Sequence, residues 1–289
     1  MPESERKTKY PQLGYGLGLR PDHFDEVLDG KSEMDWFEVL AENYMGIPGH
    51  GQSPLLKKLL RLREKYSLVL HCVSINIGAT SPLDFQFLKD LKELKNLIEP
   101  SWLSDHLCWT GIDGKNTHEL LPLPYTIEAV QHVSERILQV QDFFGERFMI
   151  ENTSSYITYK SSEMTEWEFI SEIVKKTDCG ILLDVNNVFV SSQNHSFSPK
   201  KFLDSVPFAN VGQIHIAGHD RRSNGLIVDT HDSAVCDEVY DLISYLSLNK
   251  ELPSIMVEWD DNIPDLKTYE AQVLKVKESL TSPKVKAWT

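Results

Sequence analysis

The chain has 289 residues and a formal net charge of −14, with 43 acidic against 29 basic side chains. This balance argues against a broad nucleic-acid surface, because binding along phosphates requires a basic face. No run approaches the roughly 20 apolar residues that span a bilayer, and the charged N-terminus lacks the apolar core of a signal peptide. With four widely spaced cysteines, the chain is predicted to be a cytoplasmic globular protein with reduced thiols.

Eight short apolar runs alternate with segments of helical periodicity. The predicted strands are residues 13–19, 35–40, 68–73, 101–106, 148–152, 180–185, 211–216 and 254–259. The predicted helices are residues 53–66, 84–98, 127–144, 166–176, 199–205, 237–246 and 266–280. Eight such units of roughly 30 residues are typical of an α/β protein with a single (β/α)8 TIM barrel.

An open, doubly wound sheet is the alternative architecture, but the strand number favours the barrel. Gly14, Gly16 and Gly18 form a pattern that lacks the spacing of a dinucleotide-binding fingerprint, so a Rossmann domain is not predicted. No low-complexity linker divides the chain. We therefore predict a polar N-terminal lead-in over residues 1–12 and one barrel domain over residues 13–289.

Potential metal ligands follow most of the predicted strands, and in a TIM barrel these strand ends meet at the active-site rim. There are nine: His71, His106, Glu151, Asp184, Asn187, His215, Asp229, His231 and Glu258. Each alone has a structural alternative, such as a hydrogen-bonded core histidine or a salt bridge. Burying them together is costly unless cations or hydrogen bonds satisfy them. Since one metal takes about four to six ligands, the set predicts two or three metal ions.

Other polar residues carry weaker signals. The sequence leaves two roles open for His219, a substrate contact and support of a ligand. His50 lies in a Pro-Gly-rich loop that could be a lid. Asp105 precedes His106 and should point to the opposite side of its strand, which favours a structural role. The remaining histidines are expected at the solvated surface; they are His23, His118, His132 and His195.

Short motifs across residues 13–265 resemble the multinuclear non-haem iron-dependent oxidative enzymes. They include Glu-Asn-Thr-Ser-Ser-Tyr at 151–156, Leu-Asp-Val-Asn-Asn at 183–187, Ile-His-Ile-Ala-Gly-His at 214–219 and Asp-Thr-His at 229–231. Further matches lie at 16–20, 41–44, 104–107, 121–125 and 258–260. The resemblance implies a xylose-isomerase-like barrel.

The resemblance also implies a chemistry. Two or three irons of mixed Fe(II)/Fe(III) state would be held by the nine ligands, with Glu151 bridging two of them and with Glu151, Asp184 and His215 at the catalytic core. Dioxygen would serve as cosubstrate to modify cysteine or other residues in a ribosomally synthesised precursor peptide. A separate peptide-handling partner protein is typical. The expected supporting residues are Glu42, Asn43, Asn76, Ser154 and Ser155.

Three alternatives remain at this point. A trinuclear zinc phosphodiesterase resembling endonuclease IV would use similar ligands on the same strands, although Asn187 stands where that family has a histidine. A sugar isomerase with two manganese or magnesium ions would need more carboxylates and lysine. A non-catalytic metal-binding partner protein would take up metal without turnover.

Overall fold

The computed structural model describes residues 9–46, 53–112 and 115–281. In chain order the strands are β1 (Tyr15–Gly18), β2 (Trp36–Leu40), β3 (Ser67–Cys72), β4 (Leu103–His106), β5 (Trp109–Ile112), β6 (Lys115–Leu121), β7 (Met149–Glu151), β8 (Gly180–Asp184), β9 (Val211–Ile216), β10 (Asp220–Arg221), β11 (Ile227–Val228) and β12 (Ser254–Val257). Eight of them close a parallel barrel in the order β1-β2-β3-β4-β7-β8-β9-β12. The predicted TIM barrel is therefore confirmed. The other four strands form two antiparallel hairpins, β5–β6 and β10–β11, which were not predicted.

Helices follow most of the barrel strands. They are α1 (Phe24–Leu28), α2 (Pro54–Arg63), α3 (Phe85–Ile98), α4 (Ile127–Phe144), α5 (Glu166–Thr177), α6 (Val185–His195), α7 (Pro199–Ser205), α8 (Asp237–Ser247) and α9 (Leu266–Thr281). No helix within the described ranges has the length and apolar character of a membrane span. The strands and predicted helices lie close to their expected positions, but α6 was not among the predicted helices.

The inside of the barrel has two layers of different chemistry. The lower layer, here called the barrel floor, is apolar and comprises Trp36, Val69, Trp102, Met149, Leu182 and Met256. Side chains two residues apart on a strand point to the same face. Two residues beyond each floor residue, the same strands carry Glu38, His71, Ser104, Glu151, Asp184 and Glu258. The interior thus changes from apolar to polar over a single step along the barrel axis.

Hydrogen bonds across the barrel mark the boundary between these layers. Trp102 Nε1 donates to Gln213 Oε1 at 2.6 Å, and Gln213 Nε2 donates to Glu38 Oε2 at 2.6 Å. Trp102 directly precedes β4, Gln213 lies on β9 and Glu38 on β2; these strands are not neighbours in the sheet, so the bonds span the interior. Gly16 of β1 packs directly against the Trp36 ring of the barrel floor. A Cβ added at this position would lie 2.5 Å from that ring.

Candidate metal centre

The first group of candidate ligands joins the ends of β3, β4 and β7. His71 Nε2 and His106 Nε2 lie 3.4 Å apart, and they lie 3.3 Å and 3.5 Å from Glu151 Oε2. All three side chains are buried. One ligand atom from each falls within 4.8 Å of the others, a spacing that suits one metal ion between them.

Two further groups extend from the first across the barrel. In the second, His215 Nδ1 lies 3.7 Å from Glu151 Oε1 and 4.0 Å from Asp184 Oδ2. The third combines Asp184 with His231 and Glu258, where His231 Nδ1 lies 3.2 Å from Glu258 Oε2. Glu151 belongs to the first and second groups, and Asp184 to the second and third. Each of these two carboxylates is placed to bridge neighbouring cations.

Unpaired oxygen atoms test whether metal ions fit this arrangement. Glu151 Oε2, Asp184 Oδ2 and Asn187 Oδ1 are buried and have no hydrogen-bond partner among the described residues. A buried acceptor without a partner costs free energy, and a cation supplies the missing partner. Imidazole and carboxylate donors suit iron, zinc or manganese. The residues present therefore fit a multinuclear metal centre.

Asn187 and Asp229 line the same cavity as the three groups. Asn187 Nδ2 donates to Asn152 O at 3.1 Å, which leaves its amide oxygen without a partner. Asp229 Oδ1 accepts from Asn186 Nδ2 at 2.6 Å and lies 2.7 Å from His231 Nε2. The structure thus brings all nine predicted ligands to one end of the barrel, and their role as metal ligands remains a prediction.

Neighbouring side chains determine which nitrogen a histidine presents to this centre. His71 Nδ1 lies 2.8 Å from Ser104 Oγ, so Nε2 faces His106 and Glu151. His215 Nε2 lies 3.2 Å from Glu38 Oε1, so Nδ1 is left for the other carboxylates. Such contacts hold a metal-binding imidazole in one orientation.

The backbone of His231 adopts a conformation that is unusual for a residue other than glycine. Its φ angle is 47°, in the left-handed region. The backbone is held there by two hydrogen bonds, from His231 N to Gly218 O at 3.2 Å and from Asp260 N to His231 O at 2.7 Å. Strain of this kind persists where the surrounding structure holds it, often at functional sites.

The charged groups of the site shift one another's pKa values. Burial alone would raise the pKa of Glu151, but His106 and His215 lower it to about 2. Burial would lower the pKa of His106, whereas the carboxylates of Glu151 and Asp105 raise it to about 9. The pKa of Asp184 is raised well above its ordinary value, first by burial and then by nearby carboxylates, with His231 opposing the rise. Without metal, the imidazoles thus serve as countercations for crowded carboxylates.

A cavity of about 360 Å³ gives access to this centre. Arg20 is the one Lys or Arg among the described residues that line it. The Arg20 guanidinium forms an ion pair with Asp260 and lies 3.9 Å from Glu258 Oε1. Its Nε donates to Trp259 O at 2.7 Å. The rim of the cavity is therefore rich in carboxylates, and its one Lys or Arg among the described lining residues is already paired.

The predicted supporting residues divide into two sets. Ser154 lines the cavity, while Ser155 is buried beside it and Asn43 is exposed. Glu42 and Asn76 instead hold backbone groups: Glu42 accepts from the start of the loop after β3, and Asn76 binds β5. Their contribution is to the loops that surround the site.

Asp105 contacts a predicted ligand directly, whereas His219 contacts one through a neighbouring side chain. Asp105 Oδ1 accepts from the backbone N of His106 at 2.6 Å, which agrees with the predicted structural role. His219 Nδ1 lies 2.8 Å from Asn186 Oδ1, and Asn186 in turn binds Asp229. His219 therefore supports a predicted ligand through one intervening side chain.

The histidines expected at the surface are less exposed than predicted. The prediction for His23 is wrong, since its ring is buried and its Nε2 lies 2.8 Å from Pro264 O. His132 and His195 are partly buried and bonded to protein atoms. His50, with its lid loop, and the side chain of His118 lie outside the part that the structure describes.

Sequence reasoning missed Glu38, Gln213, Arg20 and Asp260. Glu38 forms a fourth group with His215 and Glu258. A signal was present, because Glu38 is the one charged residue inside an otherwise apolar strand, Trp36–Leu40. The predicted ligands lie at, next to or after the ends of their strands, whereas Glu38 lies two residues before the end of β2.

The chain matches the family described as RiPP precursor modification enzyme MbnB/TglH/ChrH over residues 14–281. It therefore belongs to this family, which confirms the resemblance to multinuclear non-haem iron-dependent oxidative enzymes. Similar relatives include a UPF0276 protein of Anaeromyxobacter sp. (strain Fw109-5), which is 45% identical over 254 residues, or 88% of each chain. Another, from Caulobacter vibrioides, is 41% identical over 260 residues, or 90% of this chain and 91% of its own.

Solved structures with the same architecture are more distant in sequence. Endonuclease IV from Thermus thermophilus has a TM-score of 0.61 at 17% identity, covering 93% of this chain and 100% of its own. A xylose isomerase domain containing protein from Salmonella typhimurium LT2 has a TM-score of 0.63 at 14% identity, covering 95% and 100%. At these identities the likeness shows the xylose-isomerase-like barrel alone.

Proposed function

We propose that this chain is an oxidoreductase with two or three iron ions that uses dioxygen to modify cysteine or other residues in a ribosomally synthesised precursor peptide. Membership of the peptide-modification family supports the peptide substrate. The observation that carries the metal assignment is the overlap of three histidine–carboxylate groups at Glu151 and Asp184. A mixed Fe(II)/Fe(III) state, a separate peptide-handling partner and a cytoplasmic location belong to the same proposal.

Bound iron would supply electron transfer with dioxygen and would coordinate a substrate thiolate. The role of the surrounding side chains is to orient the candidate ligands and to balance the charge of the site. Ser104 and Glu38 orient His71 and His215, while Arg20 offsets the negative charge at the rim. The barrel floor closes the site from below with apolar side chains, which excludes water from that side.

Metal identity is the first test. Protein purified without air is analysed for metal content by mass spectrometry and for coupled iron by EPR and Mössbauer spectroscopy. We expect two to three irons for each chain, and Glu151→Gln should lose iron because it removes a shared ligand. Glu172→Gln, which changes an exposed carboxylate on α5, is the matched control. Zinc in every site, with no iron uptake on anaerobic reconstitution, would contradict the proposal.

Peptide modification is the second test. Iron-loaded protein is incubated with precursor peptides encoded by neighbouring genes, with and without dioxygen, and the products are weighed by mass spectrometry. A dioxygen-dependent mass change that the Glu151→Gln variant fails to produce supports the proposal. Metal uptake without any mass change or dioxygen consumption would instead identify a non-catalytic metal-binding protein.

The fold likeness to endonuclease IV keeps a zinc phosphodiesterase as the second candidate. The electrostatics oppose it, because the net charge is −14 and Arg20, the one Lys or Arg among the described cavity residues, is paired with Asp260. A phosphodiester substrate needs cations along its backbone. Cleavage of an abasic DNA duplex by zinc-loaded protein would reverse this ranking.

A further inference from the structure

A second cavity, of about 250 Å³, lies beside the metal cavity. We call it the Glu166 pocket, and its principal lining residues are Tyr125, Tyr159, Met164, Glu166, Trp167 and Phe197. All of them are partly buried. Aromatic rings and a thioether thus surround a single carboxyl group, at the start of α5.

The two cavities adjoin at the segment that follows β7. Ser154 lines the metal cavity, and the next residue, Ser155, lines the Glu166 pocket. A peptide bound at the metal centre would therefore lie next to the pocket.

Hydrogen bonds hold the walls of the Glu166 pocket in place. The Tyr159 hydroxyl donates to Pro122 O at 3.1 Å. The backbone N of Glu163 donates to Tyr125 O at 2.9 Å, and Ser155 Oγ lies 2.9 Å from His195 Nε2. These contacts tie the segment after β7 to the segment before α4 and to α6. The pocket is preformed, so a ligand does not have to order it.

The carboxyl group of Glu166 is held in surroundings that disfavour its charge. Burial raises the pKa of Glu166 to about 8, and a hydrogen bond from Tyr125 only partly opposes that rise. Among the described residues no Lys or Arg forms an ion pair with Glu166. Lys201 instead lies over the neighbouring Trp167 ring, with its Nζ 5.5 Å from the ring centre.

We propose that the Glu166 pocket binds a lysine side chain of the substrate peptide. The ammonium group would lower the pKa of Glu166 from about 8, so that the carboxyl group loses its proton to solvent and pairs with the ammonium as a carboxylate, and the methylene stem would pack against Met164 and the aromatic rings. Cations are attracted to the faces of Trp and Tyr, and a charge-assisted hydrogen bond is stronger when it is partly desolvated. The net charge of −14 also favours a basic peptide. This inference rests on the proposed function in that the substrate is a peptide.

The test uses the full chain and a small probe, Nα-acetyl-lysine N-methylamide. Its binding is followed by the NMR shift of the Trp167 indole N–H, and the neutral analogue Nα-acetyl-norleucine N-methylamide is titrated in parallel. We expect the lysine probe to bind at least about tenfold more tightly than the norleucine probe. The Glu166→Gln variant should remove that preference, whereas Glu172→Gln on the same helix should keep it.

Equal affinity for the two probes, or no shift of Trp167 with either, would overturn the proposal. In the unmutated protein, nuclear Overhauser contacts between the lysine methylenes and the Trp167 ring provide a measurement that does not depend on any variant folding. None of these experiments needs metal or turnover. Their failure is therefore distinct from an absence of peptide oxidation, which would contradict the proposed function instead.

Discussion

At the scale of one residue, Glu38 shows how a neighbouring carboxylate sets the orientation of a candidate metal ligand, His215. Its carboxylate is 4% exposed, lies 3.2 Å from His215 Nε2 and accepts from Gln213 at 2.6 Å. Because Gln213 is itself fixed by Trp102, the carboxylate has little freedom to move. Glu38 therefore holds the His215 ring with Nδ1 directed at the candidate metal positions.

Replacing Glu38 with Gln should weaken metal binding without removing a predicted ligand. The change takes away the negative charge opposite His215 Nε2, and loss of such a partner typically costs 10–100-fold in metal affinity. Affinity is measured by competition with a chromophoric chelator. Glu26→Gln, an exposed change on α1, should match the wild type. Unchanged affinity in Glu38→Gln would show that His215 is oriented without this contact.

Glu166 makes a prediction about stability and pH. Its pKa is 4.5 in ordinary surroundings and about 8 in the folded protein, so the folded chain keeps a proton that the unfolded chain has lost. The stability contributed by the protonated group is complete below pH 4.5 and is lost as the pH rises through about 8.

The Glu166→Gln variant cannot lose a proton there. Its melting temperature relative to the wild type should therefore increase between about pH 5 and about pH 9, as measured by calorimetry at several pH values. Other titrating groups affect both proteins equally, so their contribution drops out of the difference between the two melting temperatures. A difference that does not vary with pH would mean that Glu166 titrates as an exposed carboxyl.

At the scale of elements, β1 depends on the small size of Gly16. An added Cβ would lie 2.5 Å from the Trp36 ring and 2.8 Å from Trp36 O, and the backbone oxygen cannot turn aside. We expect Gly16→Ala to lower the free energy of unfolding by about 1–3 kcal/mol in a urea titration. Gly46→Ala, where nothing lies within 4 Å of the added Cβ, should change it by less than about 0.5 kcal/mol. Equal effects would show that β1 can shift away from Trp36.

The strands and most helices could be predicted because their apolar residues recur with clear periods. α6 could not, since Val185–His195 is rich in β-branched, Asn and Ser residues, which are weak helix formers. Its first eight residues are buried, so packing rather than propensity makes it a helix. Asp184 also caps it, with its Oδ1 accepting from Asn187 N at 2.6 Å.

Those residues of the candidate site that lie at the ends of strands could be predicted from the sequence. His71, His106 and Glu151 meet because parallel strands bring their carboxyl ends together. The placement of Glu38 could not be inferred in the same way, because it depends on contacts with β9 across the barrel. The side chains of Arg20 and Asp260 meet only when β1 and β12 pair to close the barrel.

At the scale of the whole molecule, the candidate ligands are contributed by strands from most of the barrel. Metal binding should therefore stabilise the entire fold. A ligand that binds only the folded state adds about 2.7 kcal/mol at a concentration 100 times its dissociation constant. We expect anaerobic Fe(II) to raise the melting temperature by several degrees and a chelator to reverse the change.

The Asp184→Asn variant separates metal binding from folding. Asn preserves the cap on α6 but removes a charge that burial and nearby carboxylates disfavour. In the presence of chelator its melting temperature should be no lower than that of the wild type, while the increase with Fe(II) should be largely lost. An undiminished increase with Fe(II) would exclude Asp184 from the metal centre.

The apolar floor has a consequence for the order of events. Trp36, Trp102, Met149 and Met256 are buried at the lower end of the barrel, whereas the cavity that reaches the candidate ligands lies at the upper end. A peptide bound in that cavity would obstruct the entry of metal ions through it. Metal must then be loaded before the peptide arrives, and chelators should strip the peptide complex far more slowly than the free protein.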